Sequence, residues 1–280
     1  MGRDEVAAYD GDVARKRDIR KIRLATGVSL SYLTHGDPAG VPVILLHGWA
    51  ESSGSFDRLT PVLPPTVRAL VPDLRGHGDA DKPEGGYALG DFAADIAAFM
   101  TALGLSSAAV VGSSSGGYVA QQLAIDCPDR VAYLALVGTP RSLHGRPSFA
   151  DEVDRVTDPI DEAWVKGSLE WFPRWHDVPD WYIQDRIRDG LRMPARVWRD
   201  SLRGLTTAVP PSETGTITAT TLIIWGDRDG VLSREDQMAL SVAIPGSRLI
   251  VYEGTGHLVL WEEPERVARD VCDFLANGAC

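Results

Sequence analysis

The sequence has few cysteines, and none of them are spaced as in a zinc site or a disulfide framework. Among 280 residues only Cys127, Cys272 and Cys280 are cysteine, and no two of them form a CxxC pair. Small secreted domains held by disulfides and structural zinc sites both need closely patterned cysteines. We therefore expect no metal and no disulfide framework, and a reducing, cytoplasmic location.

The chain also lacks an excess of positive charge and a long apolar run. Lysine and arginine total 28 against 39 aspartate and glutamate residues, which gives a net charge of −11 at pH 7. Such a chain is repelled by nucleic acid and by anionic lipid. Residues 1–22 are charged, without the apolar stretch of a signal peptide, and no segment approaches the length of a membrane span. We predict no nucleic-acid or membrane partner, and a flexible segment over residues 1–22.

The chain does contain short apolar runs that alternate with longer helical patterns. The runs that predict strands lie at residues 28–33, 41–46, 67–72, 108–112, 131–138, 220–226 and 247–254. The patterns that predict helices lie at residues 90–104, 116–126 and 264–275. Strands that are apolar throughout are typical of a parallel sheet covered on both faces, so an α/β fold is expected.

Residues 140–217 interrupt this alternation. The segment has no strand-like run, contains several prolines, and holds five of the 8 tryptophans, Trp164, Trp171, Trp175, Trp181 and Trp198. It predicts a helical cap inserted into a core made of residues 23–139 and 218–280. The aromatic side chains favour an apolar group in a substrate pocket, although packing of the cap onto the core would account for them equally well.

The string GSSSGG at residues 112–117 lies where a predicted strand ends and a predicted helix begins. A nucleophile at such a corner has a strained backbone, so the residues two positions before and after it must be small. Ser114 meets this condition with Gly112 and Gly116, and neither neighbouring serine does. The alternative is a phosphate-binding turn, but the string lacks both GxGxxG spacing and a P-loop lysine. Ser114 is therefore the candidate nucleophile.

A serine hydroxyl needs a base, and histidine is the usual one near neutral pH. Of the 6 histidines, His257 lies in a glycine-flanked loop just after a predicted strand, at the same sheet edge as Ser114. The acid that orients it is expected in the loop of IIWGDRDG, which offers Asp227 and Asp229. Asp229 is favoured because it is farther from the strand and could reach across to His257, while Asp227 could simply hold the turn.

Acyl transfer also needs N–H donors for the oxyanion of the tetrahedral intermediate. The loop of VILLHGWAESSGSF follows an early predicted strand, and Ser115, the residue after the nucleophile, directly precedes a predicted helix. We expect the backbone N–H groups of Trp49 and Ser115 to be the donor pair. An ordinary strand-to-helix turn at His47 and Gly48 is the alternative.

Five motifs in this order resemble those of the α/β-hydrolase superfamily over about residues 25–275: LLHGWAES, VPDLRGHGDADKP, VVGSSSGG, IIWGDRD and GTGHLVLWEEP. The resemblance implies an α/β-hydrolase fold, with an eight-stranded, mostly parallel sheet, helices on both faces and a helical cap between the sixth and seventh strands. It also implies Ser114 as nucleophile, Asp229 as acid and His257 as base, with no cofactor and a small-molecule substrate.

At several motif positions the sequence differs from particular subclasses of this superfamily, and these differences reduce the number of candidate reactions. Ala50 replaces the proline of the similar epoxide-hydrolase loop, and Ser114 stands where those enzymes and haloalkane dehalogenases have aspartate, which disfavours an alkyl-enzyme mechanism. The GGSWGG-like string of proline iminopeptidases and the HGxGPG-like loop of many carbon–carbon bond hydrolases are absent. Ser113 and Ala80 also depart from relatives, and we assign neither a role.

The expected activity is therefore hydrolysis of a carboxylic ester or a lactone. Two alternatives remain from the sequence. One is a carbon–carbon bond hydrolase that uses the same triad, and the other is a non-catalytic ligand-binding protein on the same fold. Binding proteins of this kind often lose a triad member, and all three are present here.

Overall fold

The computed structural model describes residues 18–145 and 147–278. Most of the predicted flexible segment, residues 1–17, lies outside the described residues. Its last part was predicted wrongly, because Ile19–Arg23 forms a strand that pairs antiparallel with Ser29–His35. This edge strand, of sequence IRKIR, is mostly exposed, so it carries no buried apolar run that would reveal it in the sequence.

An eight-stranded sheet forms the centre of the molecule. Its strands are β1 (Ile19–Arg23), β2 (Ser29–His35), β3 (Val41–Leu46), β4 (Val67–Pro72), β5 (Ala108–Ser113), β6 (Val131–Val137), β7 (Thr220–Gly226) and β8 (Arg248–Tyr252). Their order in space is β1-β2-β4-β3-β5-β6-β7-β8. β2 pairs antiparallel with β1 and β4, and all pairs from β4 to β8 are parallel. The predicted mostly parallel sheet is confirmed.

The parallel strands are apolar because helices cover both faces of the sheet. In β3, Ile44 and Leu46 are buried in one hydrophobic core, while Val43 and Leu45 are buried in the other. Successive side chains of a strand point to opposite faces, so a strand between two cores must be apolar at every position.

The helices are α1 (Leu89–Ala102), α2 (Ser115–Asp126), α3 (Ala150–Arg155), α4 (Glu162–Leu169), α5 (Asp180–Leu191), α6 (Ala195–Thr206), α7 (Pro211–Thr214), α8 (Arg234–Ala243), α9 (Val259–Glu262) and α10 (Pro264–Gly278). In α10 the buried residues Val267, Val271 and Phe274 recur at helical spacing and face the sheet. Among the described helices, none has the length and apolar character needed to cross a bilayer.

The described elements between β6 and β7 are all helices, α3 to α7, in the region predicted to be a cap. Side chains of these helices reach the loops at the carboxyl ends of the core strands. The Tyr182 hydroxyl donates to the Ser55 carbonyl oxygen at 2.7 Å, and Trp49 Nε1 donates to Ser201 Oγ at 2.9 Å. The helical segment therefore covers the sheet edge at which the candidate site residues were predicted.

Candidate active site

Ser114 lies at a sharp corner between β5 and α2. Its φ is 50° and its ψ is −123°, a conformation that residues with side chains rarely adopt. A Cβ on Gly112 would lie 2.4 Å from Gly117 Cα, and a Cβ on Gly116 would lie 2.3 Å from the Leu46 carbonyl oxygen. Both distances are far below van der Waals contact. Glycine at these positions therefore allows β5, α2 and the end of β3 to approach closely enough to form the corner.

Three side chains form a continuous line of hydrogen bonds at the carboxyl edge of the sheet. Ser114 Oγ lies 3.0 Å from His257 Nε2, and His257 Nδ1 lies 2.8 Å from Asp229 Oδ2. The Asp229 side chain is fully buried and the His257 side chain is 5% exposed. With a proton on Nδ1 shared with the carboxylate, Nε2 is left free to accept the serine proton. The structure thus brings the three predicted side chains together.

The two candidate acids have different contacts. Asp227 Oδ1 accepts the backbone N–H of Gly254 at 2.7 Å, which ties the loop after β7 to the end of β8. Asp229 Oδ1 accepts the backbone N–H groups of Val231 and Leu232 at 2.7 and 2.9 Å. These two bonds hold the Asp229 carboxylate in place and leave its Oδ2 for the histidine.

The predicted oxyanion donors border the same cavity as Ser114. Trp49 follows β3, and Ser115 is the first residue of α2, where the helix terminus adds partial positive charge. Within the described part of the chain, neither backbone N–H is hydrogen bonded to another backbone group. The Trp49 loop is held by the Gly48 N–H, which donates to Glu51 Oε2 at 3.3 Å. Both N–H groups are thus available to a ligand oxygen.

A cavity of about 100 Å³ opens in front of Ser114 and extends beneath the helices between β6 and β7. Of the tryptophans singled out in the sequence, Trp171 and Trp198 line it, whereas Trp164 packs edge-on against both. The other apolar side chains of residues 140–217 that line the cavity are Pro140, Leu143, Phe149, Val165, Leu169, Phe172, Leu202 and Leu205. Trp171 and Trp198 thus border the cavity, whereas Trp164 packs on these two rings within the same inserted segment.

The sequence analysis did not identify two charged side chains in the cavity wall, Arg186 and Glu51. Arg186 Nη2 pairs with Asp189 Oδ2 at 2.7 Å, and its Nη1 donates to Ser55 Oγ at 3.1 Å. Glu51 accepts from Ser55 Oγ at 2.6 Å and from Trp261 Nε1 at 3.2 Å, and burial raises the pKa of its carboxyl. No local pattern sets these residues apart, because their partners come from distant segments. The wall therefore presents a guanidinium already paired with a carboxylate.

The described residues, 18–145 and 147–278, contain no group of three or more histidine, cysteine, aspartate or glutamate side chains placed to hold a metal ion. The side chains and backbone groups described above border the cavity. These are a hydroxyl, an imidazole, a carboxylate and two N–H donors, beside an apolar wall.

The chain is similar to several known proteins. The sequence profile of a family described as alpha/beta hydrolase fold matches residues 41–186. A 2-hydroxy-6-oxo-2,4-heptadienoate hydrolase from Pseudomonas putida is 29% identical over 286 residues, which cover 92% of this chain and 97% of the relative.

Two solved structures share the architecture. An esterase from Exiguobacterium antarcticum matches with a TM-score of 0.79 and 26% identity, over 91% of this chain and 98% of the esterase. An enol-lactonase from Burkholderia xenovorans matches with a TM-score of 0.79 and 21% identity, over 92% of this chain and 100% of the lactonase. At 21% identity, the similarity to the enol-lactonase supports a shared fold only.

Proposed function

Because the chain belongs to the α/β hydrolase fold family, we propose that it is a serine hydrolase that cleaves a carboxylic ester or a lactone through an acyl-enzyme intermediate. One observation carries the proposal: the line of hydrogen bonds from Ser114 through His257 to Asp229, which opens on an apolar cavity. A nucleophile, a base in contact with it and an acid that orients the base are the parts that acyl transfer requires.

In the first half of the reaction, Ser114 Oγ attacks the carbonyl carbon while His257 Nε2 takes the hydroxyl proton. Asp229 holds the imidazole in the tautomer with a proton on Nδ1 and stabilises the imidazolium that forms. The backbone N–H groups of Trp49 and Ser115 donate to the carbonyl oxygen as it becomes an oxyanion. The bond to the leaving oxygen then breaks, and that oxygen receives the proton from His257.

In the second half, water attacks the acyl carbon and passes a proton to His257 Nε2. The second tetrahedral intermediate collapses, the bond to Ser114 Oγ breaks, and the serine recovers its proton from the imidazolium. The products are a carboxylic acid and an alcohol, or a hydroxy acid from a lactone. Apart from the attacking water, every step uses groups that the chain itself supplies.

The cavity favours a compact, uncharged substrate group. Its wall is largely aromatic and aliphatic, and its volume is about 100 Å³, which suits a group about the size of a small ring. Arg186 is buried and paired with Asp189, so a carboxylate on the substrate would have to compete with that pair.

A carbon–carbon bond hydrolase is the second candidate, because the Pseudomonas putida relative is named for a heptadienoate substrate. A heptadienoate carries a carboxylate. The paired state of Arg186 in this chain therefore favours the ester or lactone hydrolase.

Labelling with a fluorophosphonate probe, followed by peptide mapping, tests the mechanism without knowledge of the substrate. We expect one modified serine, Ser114, in the wild-type protein, no labelling of Ser114→Ala, and continued labelling of Ser113→Ala and Ser115→Ala. The alanine at position 115 keeps the backbone N–H. Modification of another serine, or no modification of folded protein, would contradict the proposal.

A substrate panel separates the two candidate reactions. We expect turnover of neutral aryl esters and small lactones, and at least about 100-fold lower kcat/KM for dienoate ring-fission diketones that carry a carboxylate. Faster turnover of the diketones would assign the chain to carbon–carbon bond cleavage.

A further inference from the structure

Phe172 of the cap stacks on the imidazole that is proposed to be the base. The two ring centroids lie 5.4 Å apart and the planes are inclined by 26°, so the phenyl ring presents its face to His257. Phe172 is partly buried and lies in the loop between α4 and α5. A cap residue thus contacts the reacting group directly, although the triad itself comes entirely from the core.

The loop that carries Phe172 is anchored to the loop that carries His257. Glu262 Oε2 accepts the backbone N–H groups of Trp175 and His176 at 2.8 and 2.9 Å, and its Oε1 accepts the Gly256 N–H at 3.2 Å. One buried carboxylate therefore joins the two loops.

The packing between these loops is also close. A Cβ on Gly256 would lie 2.8 Å from Trp175 Cδ1 and 2.9 Å from the Pro173 carbonyl oxygen. The loop after Phe172 therefore rests on the residue just before His257, which holds the Phe172 ring close to the imidazole.

The face of an aromatic ring carries partial negative charge, and a cation within about 6 Å of its centroid is attracted to it. In the proposed reaction His257 becomes a cation when it takes the proton of Ser114, and again when it takes the proton of the attacking water, so the attraction strengthens as each transition state forms. Interactions that are stronger in the transition state than in the ground state are those that raise the rate.

Resting on the function proposed above, we infer that Phe172 is a positioning residue for His257, whose ring face holds the imidazole in line with Ser114 and stabilises the imidazolium formed during acyl transfer. The other groups at the imidazole are the Asp229 carboxylate on Nδ1 and the Ser114 hydroxyl on Nε2. The phenyl ring supplies a third contact, stacked on the imidazole ring.

Stepwise fluorination of Phe172 tests this role, because fluorine removes negative charge from the ring face with little change in size. The series is Phe, 4-fluoro-Phe, 3,5-difluoro-Phe and 3,4,5-trifluoro-Phe at position 172 of the full chain. The readouts are the rate of fluorophosphonate labelling of Ser114 and kcat for p-nitrophenyl acetate. We expect both rates to fall with each fluorine, by about three- to ten-fold over the series, with KM nearly unchanged.

Two further comparisons separate this effect from packing. Phe172→Tyr keeps the ring and should retain most of the activity, whereas Phe172→Leu should lose kcat to at least the extent of the trifluoro variant. The same fluorine series at Phe274, a buried ring in α10 that packs edge-on against Tyr133, should leave both rates unchanged.

The outcomes are distinguishable. Equal rates along the Phe172 series, with Ser114 labelled throughout, would overturn the role of the ring and leave the proposed function standing. Absence of labelling at Ser114 in the wild-type protein would overturn both. A matching decline in the Phe274 series would also overturn the inference, because the effect would then not depend on contact with His257.

Discussion

Asp227 and Asp229 are two positions apart in the sequence, and their carboxylates have unrelated partners. One closes a turn by accepting the Gly254 N–H, and the other reaches the imidazole of His257 at 2.8 Å. From the sequence alone, the preference for Asp229 depended on an estimate of loop reach. The contacts in the structure give a physical reason for this preference, since a carboxylate can orient a histidine base only by direct contact with its ring.

We expect Asp229→Asn to lower kcat/KM for p-nitrophenyl acetate by about 10³- to 10⁴-fold, because the amide would no longer hold the reactive tautomer. Asp227→Asn should cost less than about ten-fold, since an amide oxygen can still accept the Gly254 N–H. Circular dichroism checks that both variants fold. If the ranking were reversed, Asp227 would have to be the acid.

At the scale of elements, the corner between β5 and α2 depends on glycines more than on the serines beside them. Gly116 lets the first turn of α2 lie against the end of β3, where a Cβ would come within 2.4 Å of both the Leu46 and His47 carbonyl oxygens. Leu46 is the last residue of β3 and His47 follows it directly, so these backbone oxygens can move only if the end of the strand moves.

We expect Gly116→Ala to lower the free energy of unfolding by about 2–4 kcal/mol and to slow labelling of Ser114, because the strain falls on the corner. Gly90→Ala is the matched control, since Gly90 lies in α1, where an added Cβ would meet no other part of the protein within 4 Å. It should change stability by less than about 1 kcal/mol, in the stabilising direction. Urea denaturation measures both variants, and equal effects would refute the steric argument.

The strands differ in how well their sequences identify them. β3, β4 and β7 occupy the predicted residues 41–46, 67–72 and 220–226, because strands covered on both faces are mostly apolar along their length. β1 was missed because it is an exposed edge strand whose pairing depends on β2 rather than on burial.

At the scale of the whole molecule, two buried histidines outside the candidate triad link stability to pH. Burial lowers the pKa of His47 to about 4 and that of His77 to about 3. The rings are neighbours, with centroids 5.2 Å apart, and the Leu74 N–H donates to His47 Nε2 at 3.0 Å. The folded protein therefore keeps both rings neutral in mild acid.

Below a pH of about 6.5, the unfolded chain binds a proton at each of these histidines while the folded chain does not. Each neutral histidine therefore contributes stability above a pH of about 6.5. This contribution is lost as the pH falls to the pKa in the folded protein, about 4 for His47 and about 3 for His77. Burial also raises the pKa of the Glu51 and Asp73 carboxyls, which acts in the opposite direction, because the folded chain then takes up these protons at a higher pH than the unfolded chain.

On going from pH 7 to pH 5, we expect the wild-type protein to lose about 1–2 kcal/mol more unfolding free energy than His77→Phe. Phenylalanine binds no proton, so this part of the acid sensitivity disappears. Urea denaturation at both pH values measures the shift. His35→Phe changes an exposed histidine and is the control; an equal shift there would disprove the linkage to buried His77.

The sequence by itself determined the α/β class, seven of the eight strands of the described sheet, the candidates Ser114 and His257, and a pair of candidate acids, Asp227 and Asp229, of which it favoured the second. These follow from local rules, because burial on both faces imposes apolar runs, a sharp corner imposes glycines, and parallel strands bring their carboxyl ends to one edge. Such constraints act on residues close together in the chain, so they can be recognised in the amino-acid sequence.

Only the tertiary structure decided which aspartate touches the histidine, which tryptophans line the cavity, and that Arg186 is paired with Asp189 within its wall. It also placed Phe172 on His257, from a loop more than 80 residues away in the sequence. These contacts join side chains of separate elements, and their distances depend on how the cap packs on the core. No local pattern encodes that packing, because it results from the fit of two whole surfaces.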